Sequence, residues 1–313
     1  MKLSFEDIKS ITVGAVRIWQ EEGVTRFSKM TEGQIAAFKA LSDTLFGTAS
    51  ATTGIRLDFV TNSAVFTFVP ASAGKYEIKI DGVLRERIEA EAEKEFTFAI
   101  GNGKEEHRVF LSLPSHDSHG GIISVSLDDG ATLRRADFDT KMLFIGDSIT
   151  QGWNSHFDTL SYAYQVSDYF NADSIIQGVG GAFFDKTTLE KLDFDPDTVI
   201  FAYGTNDSFR IKTLDEFGEL VHYCLAKVKE FYPRAKMYVI TPIWRTDFDE
   251  PKHYGHIKIV GERIEEEAKK LELSVIDGLS LIPPFDKFMA DSIHPNDLGF
   301  SIYAHNLIKF LEK

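Results

Sequence analysis

Apolar residues in the first 135 or so positions fall in short runs that are separated by turn residues. Residues 55–60 and 64–69 are two such runs, rich in β-branched and aromatic side chains. Asp81-Gly82 lies between two further runs and is a strong signal for a tight hairpin turn. Many short strands at near-regular spacing are typical of a β-sandwich or jelly roll. Residues 32–41 have helical spacing instead, which predicts a short helix across one end of the sandwich.

The spacing of apolar residues along the chain changes after about residue 137. Apolar runs then occupy residues 142–145, 174–176, 199–202, 237–240 and 273–276. Longer amphipathic stretches predict helices near residues 162–170, 214–231, 257–271 and 298–311. Near-continuous apolar strands that alternate with helices indicate a parallel sheet covered on both faces. We therefore predict an all-β sandwich or jelly-roll accessory domain over residues 1–136 and an α/β domain over residues 137–313.

Composition and charge narrow the classes of function. The formal net charge of −14 argues against a nucleic-acid partner, because phosphate binding needs a concentrated basic face. Cys224 is the single cysteine, so the chain cannot form an internal disulfide. The N-terminal residues lack the features of a signal peptide, and no apolar run approaches the ~18 residues that span a bilayer. We expect a cytoplasmic protein with no membrane partner.

Four short motifs in the second half carry the candidate chemistry. In chain order they are Gly-Asp-Ser-Ile-Thr at 146–150, Gly-Val-Gly-Gly at 178–181, Gly-Thr-Asn-Asp at 204–207 and Asp-Ser-Ile-His at 291–294. The first three follow predicted parallel strands, so they should meet at the carboxyl edge of one sheet, where open α/β folds place their sites. Together they supply a nucleophile, donors for an oxyanion and an Asp-His pair, which are the parts needed for acyl transfer.

The first and last motifs support each other. Alone, Asp147 and Ser148 are as well explained by helix capping, since these residue types often cap helices. The spacing of Asp291 and His294 lets both side chains turn to one side of a single turn or tight loop. Asp291 could then orient one imidazole nitrogen while the other faces Ser148. Pro295 favours an extended His294, in the loop before the last helix.

The two glycine-containing motifs suit an oxyanion site. Glycine lets a backbone N–H approach a substrate oxygen closely, and an asparagine amide can donate a second hydrogen bond. Each motif could also be only a strand-to-helix turn. A dinucleotide site is a weak alternative, because Phe183 stands where the last glycine of the Gly-x-Gly-x-x-Gly pattern belongs. An ordinary α/β-hydrolase elbow is disfavoured because Thr150 replaces its second glycine.

The four motifs in this order resemble the sequence blocks of the SGNH hydrolase superfamily, the GDSL-type esterases and lipases. The resemblance spans about residues 142–313 and implies a three-layer α/β/α, flavodoxin-like domain. It implies that Ser148 is the nucleophile, His294 the general base and acid, and Asp291 its orienting partner. It also implies an oxyanion hole formed by the N–H groups of Ser148 and Gly181 and the side chain of Asn206. Its substrate would be bound without a cofactor.

One departure from the family pattern occurs in the second block. Gln177 and Gly178 occupy the region where an asparagine often precedes the glycine. A β-sandwich before an SGNH domain is similar to the jelly-roll type of carbohydrate acetyl esterase. On that resemblance we expect Trp153 and Trp244 to form sugar-stacking walls and Arg245 to donate hydrogen bonds to substrate. Core packing explains either tryptophan at least as well.

No histidine pair makes a convincing metal site. His253 and His256 are three residues apart without an evident third ligand, and His116 and His119 share a polar loop with Asp117. We expect a serine esterase that removes short acyl groups, above all acetyl, from a sugar or oligosaccharide. A lipid or thioester acylhydrolase is the alternative enzyme, and a non-catalytic carbohydrate-binding protein is the alternative of another class. Whether the protein forms a homo-oligomer is left open.

Overall fold

The computed structural model describes residues 1–116 and 118–313, so Asp117 in the His116–His119 loop lies outside the described residues. Its contacts divide the chain into two compact units. The first comprises residues 1–30, 50–138 and 157–159, and the second comprises residues 31–49, 139–156 and 160–313. Residues 31–49 thus group with the second unit although they precede most of the first, and the sequence boundary at residue 136 stays a prediction.

The first unit contains helix α1 and strands β1 to β11. Their bounds are α1 Phe5–Ile11, β1 Thr12–Val13, β2 Arg17–Glu21, β3 Val24–Ser28, β4 Arg56–Thr61, β5 Val65–Pro70, β6 Gly74–Ile80, β7 Val83–Ala90, β8 Phe96–Ala99, β9 His107–Ser112, β10 Gly121–Leu127 and β11 Arg134–Arg135. Antiparallel pairing produces one sheet of order β1-β4-β9-β6-β7, with β11 on β4, and another of order β2-β3-β10-β5-β8.

The two antiparallel sheets share one apolar core. Phe59 of β4 lies 5.7 Å from Phe66 of β5 between ring centroids, and Phe68 of β5 lies 5.4 Å from Tyr76 of β6. All four rings are fully buried, which confirms the predicted all-β sandwich. The predicted hairpin is also confirmed: β6 and β7 pair across Asp81-Gly82, where both residues have positive φ angles, 52° and 76°.

The second unit contains the remaining helices and strands. Their bounds are α2 Glu32–Leu41, α3 Asp43–Ser50, β12 Thr140–Gly146, α4 Ser148–Gln151, α5 Tyr162–Tyr169, β13 Ala172–Gly178, β14 Thr198–Ala202, α6 Leu214–Phe231, β15 Lys236–Ile240, β16 Pro251–Lys252, β17 Gly255–His256, α7 Lys258–Lys270, β18 Ser274–Ile276 and α8 Asp297–Leu311. Short 3-10 turns occupy residues 158–160, 207–209, 278–280 and 286–288.

Five parallel strands form the central sheet, in the order β13-β12-β14-β15-β18. The chain passes from β12 to β13 in one direction and then from β13 through β14 and β15 to β18 in the other, so right-handed crossovers place α5 on one face and α6 and α7 on the other. The prediction of a parallel sheet layered with helices is therefore confirmed. In this doubly wound order the crevice at the carboxyl ends of β12 and β14 is the expected ligand site.

Helix α2 has the bounds that its spacing predicted, residues 32–41. Thr31 caps it, because the Thr31 hydroxyl accepts from the Gln34 N–H and the Gln34 side chain bonds back to the Thr31 N–H. The Gln34 side chain also exchanges hydrogen bonds with Gln177, near the end of β13. This helix groups with the α/β unit.

Candidate active site

Ser148 lies directly after β12, at the first position of α4. Asp147 is the N-cap of this helix, because its carboxylate accepts a 2.9 Å hydrogen bond from the Ile149 N–H. Capping therefore accounts for Asp147 and leaves the Ser148 side chain available. The Ser148 Oγ lies 2.8 Å from the His294 Nε2, which joins residues 146 positions apart in the chain.

His294 is held in turn by Asp291. The imidazole Nδ1 lies 2.8 Å from the Asp291 Oδ2 and 3.1 Å from its Oδ1. The same carboxylate accepts 2.8 Å hydrogen bonds from the backbone N–H groups of Ile293 and His294. Burial alone would raise the pKa of Asp291, but these hydrogen bonds and the nearby imidazole outweigh it and lower the pKa to about 2. The carboxylate is therefore ionised at neutral pH.

Asn154 is a further partner of Asp291 that the sequence motifs do not reveal. Its side-chain Nδ2 donates a 2.7 Å hydrogen bond to the Asp291 Oδ2. Asn154 follows the left-handed C-cap Gly152 of α4 and itself has a φ of 72°, a conformation that asparagine tolerates better than most residues. The signal available in the sequence is an asparagine shortly after the end of the Ser148 helix.

Gly181 and Asn206 lie close together beside α4. The segment from Val179 to Ala182 is a turn closed by a 3.0 Å backbone bond, with Gly181 exposed at a φ of 82°. The Asn206 Nδ2 donates a 2.9 Å hydrogen bond to the Ala182 carbonyl, one residue beyond Gly181. The structure thus brings the second and third sequence blocks to one place at the sheet edge.

Gly178 explains how closely this turn approaches the Ser148 helix. A Cβ atom at this position would lie 2.3 Å from the Gln151 backbone nitrogen and 2.6 Å from the Thr150 carbonyl carbon. Both contacts are with backbone, so a larger residue would push the turn away from α4. Glycine at 178 is required for packing, at the position where the family pattern is least well matched.

Two buried carboxyl groups support the surrounding loops. Asp147 caps α4, and the Asp207 Oδ1 accepts a 3.1 Å hydrogen bond from the Phe184 N–H. Burial raises the pKa of Asp147 and of Asp207 to about 7, against the hydrogen bonds that favour their charged forms. Both groups lie beneath the candidate site and hold its loops.

Arg245 does not occupy the position expected for a substrate donor. The residue is only 1% exposed, and its Nε and Nη2 bind the two carboxylate oxygens of Asp247 at 2.7 and 2.8 Å. Its Nη1 donates to the Thr205 carbonyl at 3.1 Å and to the Ser208 Oγ at 3.2 Å. This corrects the sequence expectation: Arg245 is buried by its ion pair and holds the loop that carries Asn206.

The two candidate sugar-stacking residues are placed differently from Arg245. Trp153 and Trp244 are both partly exposed, so contact with a substrate is sterically open to each. Their role as walls of a sugar site stays a prediction.

Among residues 1–116 and 118–313, no group of three or more His, Cys, Asp or Glu side chains is arranged to hold a metal ion. In the same part of the chain, no helix has the length and apolar character needed to cross a membrane.

Comparison with known proteins defines the class to which this fold and site belong. The model of the GDSL-like lipase/acylhydrolase family matches residues 144–302, just over half of the 313-residue chain. The matched region contains all four sequence blocks. The chain belongs to the GDSL-like lipase/acylhydrolase family. No curated protein sequence matches it.

Solved structures share the fold over nearly the whole chain. A salicylyl-acyltransferase from a tetracycline biosynthetic pathway has a TM-score of 0.85 at 17% identity, over 96% of this chain and 93% of that one. A protein from Bacteroides ovatus described as a GDSL-like lipase has a TM-score of 0.77 at 19% identity, over 100% and 98%. A family two carbohydrate esterase from Cellvibrio japonicus has a TM-score of 0.69 at 16% identity, over 100% and 97%. At these identities the likeness shows the fold alone.

Proposed function

We propose that this protein is a metal-independent serine esterase that removes short acyl groups, above all acetyl, from a carbohydrate. The observation that carries the proposal is the continuous hydrogen-bonded series from the Ser148 Oγ through His294 to the Asp291 carboxylate. A serine hydroxyl is a weak nucleophile unless a base can accept its proton, and this arrangement provides the base.

The ionised Asp291 determines how the histidine acts. Because this carboxylate can only accept hydrogen bonds, the proton of neutral His294 lies on Nδ1 and Nε2 carries the free electron pair. Nε2 therefore accepts the hydrogen bond from the Ser148 hydroxyl. Asp291 then stabilises the imidazolium that forms when His294 takes the serine proton.

The reaction proceeds in two halves through an acyl-Ser148 intermediate. The Ser148 Oγ attacks the ester carbonyl carbon while its proton passes to the His294 Nε2, and the carbonyl oxygen becomes an oxyanion. The N–H groups of Ser148 and Gly181 and the Asn206 amide stabilise that charge. The C–O bond to the alcohol then breaks, and the alcohol leaves with the proton from His294. Water attacks the acyl-enzyme by the same route and releases the carboxylic acid.

Two observations support a carbohydrate ester as the substrate. The carbohydrate esterase from Cellvibrio japonicus shares the fold across all of this chain, sandwich included. Trp153 and Trp244 are partly exposed, and aromatic rings are suited to stack on the apolar face of a sugar. The length of the acyl group is tested directly by the chain-length preference of the enzyme.

Acyl transfer to an alcohol is a second candidate function. The salicylyl-acyltransferase has the highest fold similarity of the three relatives described, with a TM-score of 0.85. Acyl transfer at this site would proceed through the same acyl-Ser148 intermediate, with an acceptor hydroxyl in place of water. Addition of sugar alcohols to the assay distinguishes the two: a transferase forms a new ester at the expense of free acid, whereas a hydrolase forms free acid only.

Replacement of Ser148 tests the proposed mechanism. We expect Ser148→Ala to reduce hydrolysis of 4-nitrophenyl acetate at least about 10⁴-fold and to abolish labelling by a fluorophosphonate probe. Wild-type protein should release acetate from acetylated oligosaccharides and lose activity on acyl chains beyond about C6. Hydrolysis that survives in Ser148→Ala would refute the mechanism. A preference for long chains or thioesters would instead favour a lipid or thioester acylhydrolase.

A further inference from the structure

Helix α3 reaches the candidate oxyanion site through a hydrogen bond of the Thr48 side chain. Its hydroxyl donates a 3.0 Å hydrogen bond to the Gly180 carbonyl, and the Thr44 and Leu45 carbonyls lie slightly farther away, at 3.2 Å. Thr48 is 6% exposed and lies 132 positions from Gly180 in the chain. This contact joins the segment before β4 to the second sequence block.

Gln151 completes a closed network with Thr48 and Gly180. The Gln151 Oε1 accepts a 2.6 Å hydrogen bond from the Gly180 N–H, and its Nε2 donates a 3.1 Å bond to the Thr48 carbonyl. Gln151 is fully buried and is the last residue of α4, three positions after Ser148. Both polar groups of Gly180 are therefore held, one by the nucleophile helix and the other by α3.

The hydrogen bond from Thr48 to the Gly180 carbonyl fixes the direction in which the Gly181 N–H points. The Gly180 carbonyl and the Gly181 N–H belong to the same peptide unit, which is planar and trans, so the two groups point in opposite directions. A hydrogen bond that holds the carbonyl toward α3 turns the N–H away from α3. Because glycines flank this peptide on both sides, few steric barriers would otherwise oppose its rotation.

Helix α2 secures this arrangement at the other side of the turn. The Gln34 and Gln177 side chains exchange two hydrogen bonds, of 3.2 and 2.9 Å, and each residue is only 4% exposed. The Gln34 Nε2 also lies 3.2 Å from the Thr188 carbonyl. Buried amides with partners on both ends resist displacement, so α2 is held beside the end of β13, just before the turn.

We propose that Thr48 and Gln151 are positioning residues that hold the Gly180–Gly181 peptide with its N–H aimed at the substrate oxyanion. On this view α3 acts on the reaction through the Thr48 side chain alone, although it precedes strands β4 to β11 in the sequence. The inference rests on the proposed function, because it assigns a role to Gly181 in that reaction. Neither Thr48 nor Gln151 touches the substrate.

Removal of the Thr48 hydroxyl should lower turnover less than removal of a direct oxyanion donor, because Thr48 acts through the Gly180–Gly181 peptide. Removal of a direct oxyanion donor lowers turnover roughly 10²- to 10³-fold. Loss of the Thr48 bond leaves the donor present but frees its orientation, so a smaller loss is expected. The loss should appear in kcat and leave KM nearly unchanged, because the oxyanion exists in the transition state and not in the bound ester.

The chain offers a matched set of variants for the test. Thr48→Val keeps the β-branched shape and removes the hydroxyl, and Thr48→Ser restores the hydroxyl without the methyl group. Thr44→Val makes the same change one turn earlier on α3, at an exposed position. Each full-length variant is assayed for 4-nitrophenyl acetate hydrolysis, for the rate of labelling by a fluorophosphonate probe and for its Tm.

We expect Thr48→Val to lower kcat and the labelling rate about tenfold to thirtyfold with KM changed less than twofold. Thr48→Ser should return kcat to within about threefold of wild type, and Thr44→Val should leave it unchanged. A folded Thr48→Val with wild-type kcat, or equal losses in Thr48→Ser or Thr44→Val, would overturn the inference. If Thr48→Val does not fold, Thr48→Ala is judged by the same criteria.

The same assays separate this inference from the proposed function. If wild-type hydrolysis and probe labelling do not depend on Ser148, both the function and the inference fail together. If they depend on Ser148 but are insensitive to the Thr48 hydroxyl, the esterase proposal stands and the positioning role alone is wrong.

Discussion

Each unit of this protein contains a set of ionisable side chains joined by hydrogen bonds, and the two sets differ in access to solvent. In the first unit, Lys29 is fully buried and donates to the Thr53 hydroxyl at 3.1 Å, while Asp158 accepts a 2.8 Å bond from the Gly54 N–H. In the second unit, the Asp291 side chain is 44% exposed and its histidine is 15% exposed.

The two environments shift pKa values in opposite ways. Burial lowers the pKa of Lys29 to about 7 despite the nearby Asp158, and burial raises the pKa of Asp158 to about 7 despite hydrogen bonds from Gly54 and Ser115. Burial would also raise the pKa of Asp291, but hydrogen bonds from the backbone and side chain of His294 and from the Ile293 N–H hold it near 2. The buried set is as strongly perturbed as the candidate site, yet no substrate can reach it. A perturbed pKa indicates function only together with access and a directed proton path.

Loss of the Asp291 charge should have the largest effect on activity. Asn at this position would favour the wrong histidine tautomer, because an amide can donate to Nδ1, so we expect Asp291→Asn to lower kcat about 10⁴-fold. The comparison is with Asp297→Asn, since Asp297 forms a similar pair with the exposed His156 at 2.7 Å. A comparable loss of kcat in both variants would remove the distinction between a catalytic pair and a surface pair.

Removal of Lys29 should act on stability and leave catalysis intact. Lys29→Met removes the buried ammonium group and leaves the Thr53 hydroxyl without this donor, and loss of a buried hydrogen-bond partner costs about 1–3 kcal/mol. Urea unfolding measures this loss, and the kcat of the folded variant should equal that of wild type. A folded Lys29→Met with reduced kcat would show that the first unit's buried set also serves the reaction.

The pH dependence of the free energy of unfolding provides a second test of the buried Lys29 and Asp158. The lowered pKa of Lys29 means that the unfolded chain binds more protons between about pH 7 and 10, so this group adds stability as pH rises through that range. The raised pKa of Asp158 has the opposite sign, and its contribution declines from about pH 4 to 7. Relative to wild type, Lys29→Met should lack the gain above pH 7.

The smallest effect is expected at Asn154. Asn154→Ala removes one of several hydrogen bonds to Asp291, worth about 1 kcal/mol, so kcat should fall threefold to tenfold. Asn171→Ala is a close control, because Asn171 also has a positive φ, 43°, and donates to a carboxylate, that of Asp139, at 3.0 Å. If both variants show the same change in kcat, the Asn154 contact does not help to orient Asp291.

Local sequence patterns predicted most of the strands and helices in both units. The alternation in residues 55–60 corresponds to β4, the Asp81-Gly82 pair to the hairpin, and the helical spacing of residues 32–41 to α2 with the same bounds. The sequence patterns did not predict the short helices α1 and α3, which contain seven and eight residues. Helices of this length contain too few turns for periodicity to identify, so their capping and packing decide them.

The sequence alone determined the order of most strands and helices, the two kinds of architecture and the four blocks that belong to one family. Those properties depend on residue types at short spacings, which a linear chain displays directly. Only the tertiary structure decided that residues 31–49 join the α/β unit, that Arg245 is enclosed by Asp247, and that Asn154 and Thr48 reach the candidate site. Each of these outcomes depends on which surfaces become buried together, and that is set by contacts between residues far apart in the chain.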